Sequence, residues 1–111
     1  MLRFKPAVRI GHFNEPLALM LLEACTWSLL TGIDVEINSI RDSAPDRASR
    51  SLHPFDLAVD FDTVGDQATD LERLADYFRR VLPTPFDIVL EGDHVHVEWD
   101  ARRGPLKKTV S

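Results

Sequence analysis

Two segments of strictly alternating residues are the feature that most constrains the fold of this chain. Between Phe55 and Phe61, apolar residues occupy every second position, and aspartate or alanine stands between them. The segment from His94 to Trp99 alternates in the same way, with valine and tryptophan on one side and histidine and glutamate on the other. A period of two is that of a β-strand with one buried and one polar face. We therefore expect a sheet with an apolar face toward a core and a polar face that is free for chemistry.

A long apolar run near the start of the chain predicts a core helix. The helix begins after Asn14, which can cap it, and Gly32 ends it. Its apolar residues fall at helical spacing, and additional leucines such as Leu22 and Leu29 predict a helix that is covered on most sides. Because Glu23 interrupts the run, which is shorter than the roughly 20 residues of a membrane span, we interpret it neither as a signal peptide nor as a span.

Further strands and a second helix complete the expected sheet. Residues 34–40 alternate as a strand, and residues 86–90 pair with residues 94–99 in a hairpin whose Gly92 can accept a positive φ. Residues 65–82 carry apolar side chains at helical spacing and stop at a proline. The predicted class is α+β, with helices packed on a small, mainly antiparallel sheet.

The length of the chain fits a single domain. Its 111 residues fall within the range of one compact domain, with a core at about residues 7–100. The basic and polar residues 101–111 predict a flexible tail. Polar residues from Arg41 to Leu52 predict a loop, and long loops in compact domains are commonly functional.

The charge and cysteine content argue against several classes of partner. Eighteen acidic and 13 basic residues give a formal charge of −5, which disfavours nucleic acid because phosphate binding needs a clustered basic surface. We expect no membrane partner either, and the sequence leaves the oligomeric state open. The single cysteine, Cys25, allows no internal disulfide, so synthesis in the cytoplasm is expected.

Histidines beside carboxylates indicate a metal site. His94 and His96 share the polar face of one predicted strand, whereas His53 precedes another strand and Asp60 lies on its polar face. Zinc binds imidazole nitrogens and carboxylate oxygens, and catalytic sites use three protein ligands and keep a fourth position for water. His53, Asp60 and His96 supply such a set. The alternative is a strand face on which these histidines are only solvated.

A hydrolytic zinc site also needs a carboxylate that accepts a proton from the attacking water. Asp93 lies three residues before His96 and is the first candidate, with Glu91 as the alternative.

These residues resemble the motifs of a known family, the zinc D-alanyl-D-alanine carboxypeptidases and L-alanyl-D-glutamate endopeptidases, which share their fold with the hedgehog signalling domain. Ser51, His53 and Asp60 look like the family's Ser-x-His-x6-Asp segment, and residues 93–96 look like its closing Asp-His-x-His block. The resemblance covers roughly residues 35–100. It implies a hedgehog/DD-peptidase-like fold.

The resemblance also implies a role for each of seven residues. They are the Zn²⁺ ligands His53, Asp60 and His96, the catalytic residues Asp93 and His94, and the substrate-binding residues Arg41 and Ser51. In these roles His94 orients or polarises the reacting carbonyl, and Arg41 holds a substrate carboxylate, which the planar fork of a guanidinium suits. Asp56 stands where the family usually has glycine.

The implied function is a zinc-dependent peptidase that hydrolyses peptide bonds in peptidoglycan stem peptides, in phage lysis or wall remodelling. Small phage-encoded members are similar, so we expect a chain without a signal peptide that reaches the bacterial wall after phage lysis or in a virion. The sequence leaves open whether a D-Ala-D-Ala or an L-Ala-D-Glu bond is cut. Two alternatives are a non-catalytic zinc-binding or virion-structural module of the same fold, and a metal-free scaffold in which Asp56 has disabled the site.

Overall fold

Five strands and two helices form the part of the protein that the structure describes. In this computed structural model, that part comprises residues 1–8, 10, 15–42, 57–65, 67–83 and 85–99. The predicted cap Asn14, most of the predicted loop, the site candidates Ser51 and His53, and the predicted tail lie outside the described residues.

The strands form one sheet in the order β1-β2-β3-β5-β4. The β1–β2 pair is parallel and the other three pairs are antiparallel. In chain order the elements are β1 (Leu2–Phe4), α1 (Glu15–Thr31), β2 (Val35–Asp42), β3 (Leu57–Thr63), α2 (Gln67–Val81), β4 (Phe86–Glu91) and β5 (His94–Trp99). The predicted α+β class with a mainly antiparallel sheet is thus confirmed, whereas the three-residue edge strand β1 was not predicted.

Both helices pack against the same face of the sheet. The buried residues of α1 and α2 form one cluster with alternate residues of β2, β3 and β5. At its centre the rings of Phe61 in β3 and Phe78 in α2 lie 5.0 Å apart between centroids, and both side chains are fully buried. Because the helices occupy one face only, the polar residues of the strands are left on the other.

The helix α1 is covered on most sides, as expected, but some of its leucines are exposed. Leu17, Met20 and similar residues are buried, whereas Leu22, Leu29 and Leu30 are 60%, 75% and 74% exposed. These leucines are exposed because α1 lies in a two-helix layer, so the sheet and α2 leave one side of it uncovered. Of the two helices described, neither combines the length and the apolar character that a bilayer crossing requires.

Two of the glycines lie where elements end, one directly after α1 and one in the turn between β4 and β5. Gly32 follows the last residue of α1 with a φ of 79°, which is the left-handed conformation that commonly ends helices and favours glycine. In the β4–β5 hairpin, Glu91 pairs with His94 and leaves Gly92 and Asp93 as the turn. Gly92 does not use the positive φ that a glycine can accept, since the described glycines with positive φ are Gly32 and Gly65.

A β-bulge interrupts the pairing of β2 with β3. Ile37 is opposite Phe61, and the next pair joins Ser39 to Asp60, so Asn38 is an extra residue in β2. Such a bulge leaves one residue unpaired and increases the local twist of the strand.

The bulge decides which residues of the second half of β2 face the core. In a strictly alternating strand, Ser39 would share the core face with Ile37. Because of the extra residue, Ser39 and Arg41 lie on the polar face, and Ile40 packs against the core. The strand continues to Asp42, so the loop expected from Arg41 onward begins later than predicted.

Candidate functional site

The centre of the polar face is a cross-strand pair between an aspartate and a histidine. Asp60 in β3 is directly opposite His96 in β5. The Nδ1 atom of His96 lies 2.7 Å from Oδ1 of Asp60, and the Ser39 hydroxyl donates to Oδ2 of the same carboxylate at 2.9 Å. Both side chains are largely shielded from solvent, with 16% of Asp60 and 15% of His96 exposed. The Asp60 carboxylate is therefore held between Ser39 of β2 and His96 of β5.

The residues that flank this pair explain why its position is well defined. Val59 precedes Asp60, Val97 follows His96, and the two valines are paired and fully buried in the core. Successive side chains of a strand point to opposite faces. Packing of the valines on the core side therefore fixes the register that brings Asp60 and His96 together on the polar side.

A second histidine lies at the edge of the same cluster. The Nε2 atom of His94 lies 3.7 Å from Oδ1 of Asp60 and 2.9 Å from Oε1 of Glu91. The other ring nitrogen, Nδ1, lies 2.7 Å from Oδ1 of Asp93. His94 thus links the carboxylates of the hairpin turn to the Asp60–His96 pair.

These contacts shift the acidity of three groups. Partial burial raises the pKa of Asp60, but the hydrogen bonds from His96 and Ser39 outweigh it and hold the pKa below its ordinary value. The hydrogen bond with Asp93 raises the pKa of His94 despite some burial, and the same bond lowers the pKa of Asp93. Asp60 and Asp93 are therefore carboxylates at neutral pH, and His94 retains a proton more readily than a free imidazole.

The predicted metal ligands are brought together in part. Asp60 and His96 are adjacent, and their carboxylate oxygen and imidazole nitrogen are the donor types that zinc prefers. Within the described residues, no three side chains of histidine, cysteine, aspartate or glutamate are grouped as a metal site. The third predicted ligand, His53, lies outside those residues. Asp60 and His96 thus offer donor types that suit a zinc ion, and they lie on one face of the sheet.

The two candidates for the general base both contact His94 rather than the central pair. The side chain of Asp93 is 94% exposed, and that of Glu91 is 47% exposed. Each carboxylate lies on a different ring nitrogen of His94. The ring of His94 separates Asp93 from Asp60, whereas Glu91 lies at the same nitrogen, Nε2, that faces Asp60. The choice between the two candidates stays open.

Of the two predicted substrate-binding residues, the structure places one. Arg41 is exposed on the polar face of β2, opposite Ala58, two residue pairs along from Ser39 and Asp60. The other, Ser51, lies outside the described residues.

Ser39 belongs to the site, although the seven predicted site residues do not include it. Its hydroxyl is one of two groups that fix the Asp60 carboxylate. The alternation of β2 places Ser39 on the wrong face unless the bulge at Asn38 is recognised. The polar Asn38 at a position between Ile37 and Ile40 is the signal that could have indicated it.

Comparison with known proteins gives no relative for this chain. No family model, no curated protein and no solved structure matches it.

Proposed function

We propose that the protein is a zinc-dependent peptidase that hydrolyses peptide bonds in peptidoglycan stem peptides, with His53, Asp60 and His96 as metal ligands. The observation that supports this most is the pairing of Asp60 with His96 on neighbouring strands, with His94 beside them. When bound, zinc supplies a Lewis acid that polarises the peptide carbonyl and makes water more acidic. The chain's own residues supply the remaining functions.

The Asp60 carboxylate provides the negative charge of the centre. The hydrogen bonds from Ser39 and His96 favour its ionised form, which is the form that binds a cation. They also fix its orientation, as supporting hydrogen bonds do for ligands in metal sites. Ser39 is accordingly a positioning residue for Asp60.

The pair formed by Asp93 and His94 provides for proton transfer. Asp93 accepts a hydrogen bond at Nδ1 of His94, so the opposite ring nitrogen faces Glu91 and Asp60. A protonated His94 can donate to the oxygen of a reacting carbonyl, and a carboxylate on either side of the ring can take up the proton from water. Asp93 is the first candidate for this base and Glu91 is the alternative.

Arg41 is the proposed partner of a substrate carboxylate. It is exposed on the same face as Asp60 and two residue pairs away along the sheet. A guanidinium binds a carboxylate through two parallel hydrogen bonds, which orients the substrate as well as attracting it.

The test uses zinc-loaded protein and a synthetic stem pentapeptide, with products identified by mass spectrometry. We expect cleavage at one bond, whose position distinguishes a carboxypeptidase from an endopeptidase. Asp93→Ala is expected to keep zinc and to lose at least about 100-fold in turnover, the lower range for a general base. Asp62→Asn, on the same face of β3, is the matched control and should cleave normally. If Asp93→Ala and Glu91→Ala both keep full activity, the proposed proton transfer is wrong.

A non-catalytic zinc-binding module is the second candidate, and the position of His94 favours it. Its Nε2 atom lies 3.7 Å from the Asp60 oxygen that also contacts His96. A small inward movement would make it a fourth protein ligand, and structural zinc sites are closed by four. In that case His94→Ala would weaken zinc binding strongly and the wild-type protein would cleave no stem peptide. In the peptidase, His94→Ala keeps zinc and loses turnover.

A further inference from the structure

A cavity next to the candidate site lies where the edge strand β1 ends. The pairing of β1 with β2 covers only the first three residues of β2, from Val35 to Ile37. The main-chain N–H of Lys5 still donates to the Ile37 carbonyl at 3.0 Å, and the chain then turns. A cavity of about 480 Å³ opens between residues 5–8 and residues 38–40 of β2. The sequence motifs assign no role to the residues around it.

The cavity exposes an edge of β2 that suits a peptide. Within the described residues, β2 has no strand partner on the β1 side beyond Ile37. The main-chain N–H and C=O groups of such an edge pair readily with an added extended segment. A peptide that continues the line of β1 therefore finds hydrogen-bonding groups at the bulge and after it.

The walls of the cavity are mostly short, apolar side chains, which suit a small aliphatic group. Pro6, Ala7, Val8 and Ile40 provide apolar walls made of short side chains. Lys5 is the cation among the lining residues, and its charge is one of the causes that lower the pKa of Asp93. The ammonium of Lys5 can attract a carboxylate.

The cavity is joined to the candidate site through Ser39. This residue lines the cavity, and its hydroxyl donates to Asp60 at 2.9 Å. A ligand residue in the cavity is thus one side chain away from the Asp60–His96 pair.

We propose that this cavity binds one residue of an extended peptide, with its small aliphatic side chain between Val8 and Ile40, its main chain along β2, and a carboxylate at Lys5. The inference rests on the proposed function for the identity of the peptide as a substrate, whereas the binding itself needs neither zinc nor turnover. The carboxylate belongs either to the C-terminal residue of the peptide or to an acidic side chain next to it. The shared chemistry is a carboxylate beside a small apolar group.

The experiment measures ligand binding to the full chain without added zinc, by NMR of the Val8 and Ile40 methyl groups. Three probes are titrated: N-acetyl-alanine, N-acetyl-alanine amide, and N-acetyl-glutamic acid α-amide. We expect the first to shift both methyl signals and to bind more tightly than its amide. Tighter binding of the third probe would support the cavity and assign the carboxylate to a side chain.

Three variants test the assigned contacts. Ala7→Trp fills the cavity from an exposed turn position and should abolish the shifts. Lys5→Gln should weaken binding of N-acetyl-alanine about threefold, within the range of an exposed ion pair, and leave the amide unchanged. As a control, Arg80→Gln removes a positive charge on α2, in the helix layer. It should change the binding of neither N-acetyl-alanine nor its amide.

Two results would overturn the proposal. One is that no carboxylate probe shifts the Val8 or Ile40 methyls at high millimolar concentration. The other is that Lys5→Gln and wild type bind N-acetyl-alanine equally. If the probes bind as expected but the chain neither holds zinc nor cleaves peptides, only the proposed function fails.

Discussion

The two faces of β3 and β5 differ in what holds them together. On the core face, five side chains are fully buried: Leu57, Val59, Phe61, Val95 and Val97. On the polar face, Asp60, His94 and His96 contact one another through hydrogen bonds and ion pairs. Alternation along the same two strands thus separates the residues that stabilise the fold from those available for chemistry. Substitutions on the core face should therefore cost much more stability than substitutions on the polar face.

The largest effect is expected on the core face. Phe61→Ala removes a fully buried ring that packs on Phe78, and should lower the free energy of unfolding by about 3–5 kcal/mol. The neighbouring residue Asp62 lies on the polar face. Asp62→Asn should change the free energy of unfolding by less than about 0.5 kcal/mol. Urea denaturation followed by circular dichroism measures both. Equal losses for the two variants would contradict the separation of the faces.

The bulge in β2 can be tested by two single-residue deletions. Deleting Asn38 restores strict alternation and keeps Ile40 toward the core, so the protein should fold with a modest loss of stability. Deleting Ile40 removes an apolar contact and turns Arg41 toward the core, which should cost more than about 3 kcal/mol because a buried charge is left unpaired. Thermal unfolding of both deletions gives the comparison. A more stable Ile40 deletion would show that the bulge is not what sets the faces.

On the polar face, Asp60 should contribute a pH-dependent part of the stability. Its pKa is lowered in the folded state, so the contribution is present above the unfolded pKa of about 3.9 and is lost as the pH falls through the folded pKa. At neutral pH, Asp60→Asn should cost about 1–2 kcal/mol, and the difference from wild type should disappear in acid. Ser39→Ala should behave in the same direction with a smaller effect. Denaturation of wild type and Asp60→Asn at several pH values measures this contribution. A stability difference between them that grows in acid would contradict the prediction.

The smallest effect concerns a polar contact between the helices. The hydroxyl of Tyr77 in α2 donates to Glu23 in α1 at 2.7 Å, and burial together with this contact raises the pKa of Tyr77 to about 12. Tyr77→Phe should cost about 1 kcal/mol at neutral pH. Because the folded pKa is raised, the wild-type advantage is present below about pH 10 and is lost as the pH rises toward 12. Unfolding measured from pH 8 upward tests this, with Glu23→Gln as a control that keeps an acceptor.

The sequence predicts those parts of the fold that follow from a regular period. The alternation of β3 and β5 and the helical spacing of α2 each depend on one buried face, which the pattern of apolar residues reveals. Pairing of β3 with β5 then brings Asp60 beside His96. The apolar pattern cannot predict how many neighbours an element has, and Leu29 and Leu30 are therefore exposed although they belong to an apolar run.

Two features of the sheet cannot be predicted from the period of the apolar residues. A bulge is defined by two strands together, so the alternation of β2 alone does not place Ser39 opposite Asp60. The edge strand β1 has three residues, which is too short for a period to be recognised. The contact between Ser39 and Asp60 and the cavity beside β1 both follow from these two features.

The most direct test of the central claim is the zinc content of the purified protein and of matched variants, measured by mass spectrometry of the metal. We expect about one zinc per chain, as a single site requires, lost in His96→Ala and Asp60→Ala and retained in Asp62→Asn. Each variant should be folded by circular dichroism before its metal is counted. A wild-type chain that binds no zinc, or a His96→Ala variant that binds as much as wild type, would contradict the claim that Asp60 and His96 form a metal centre.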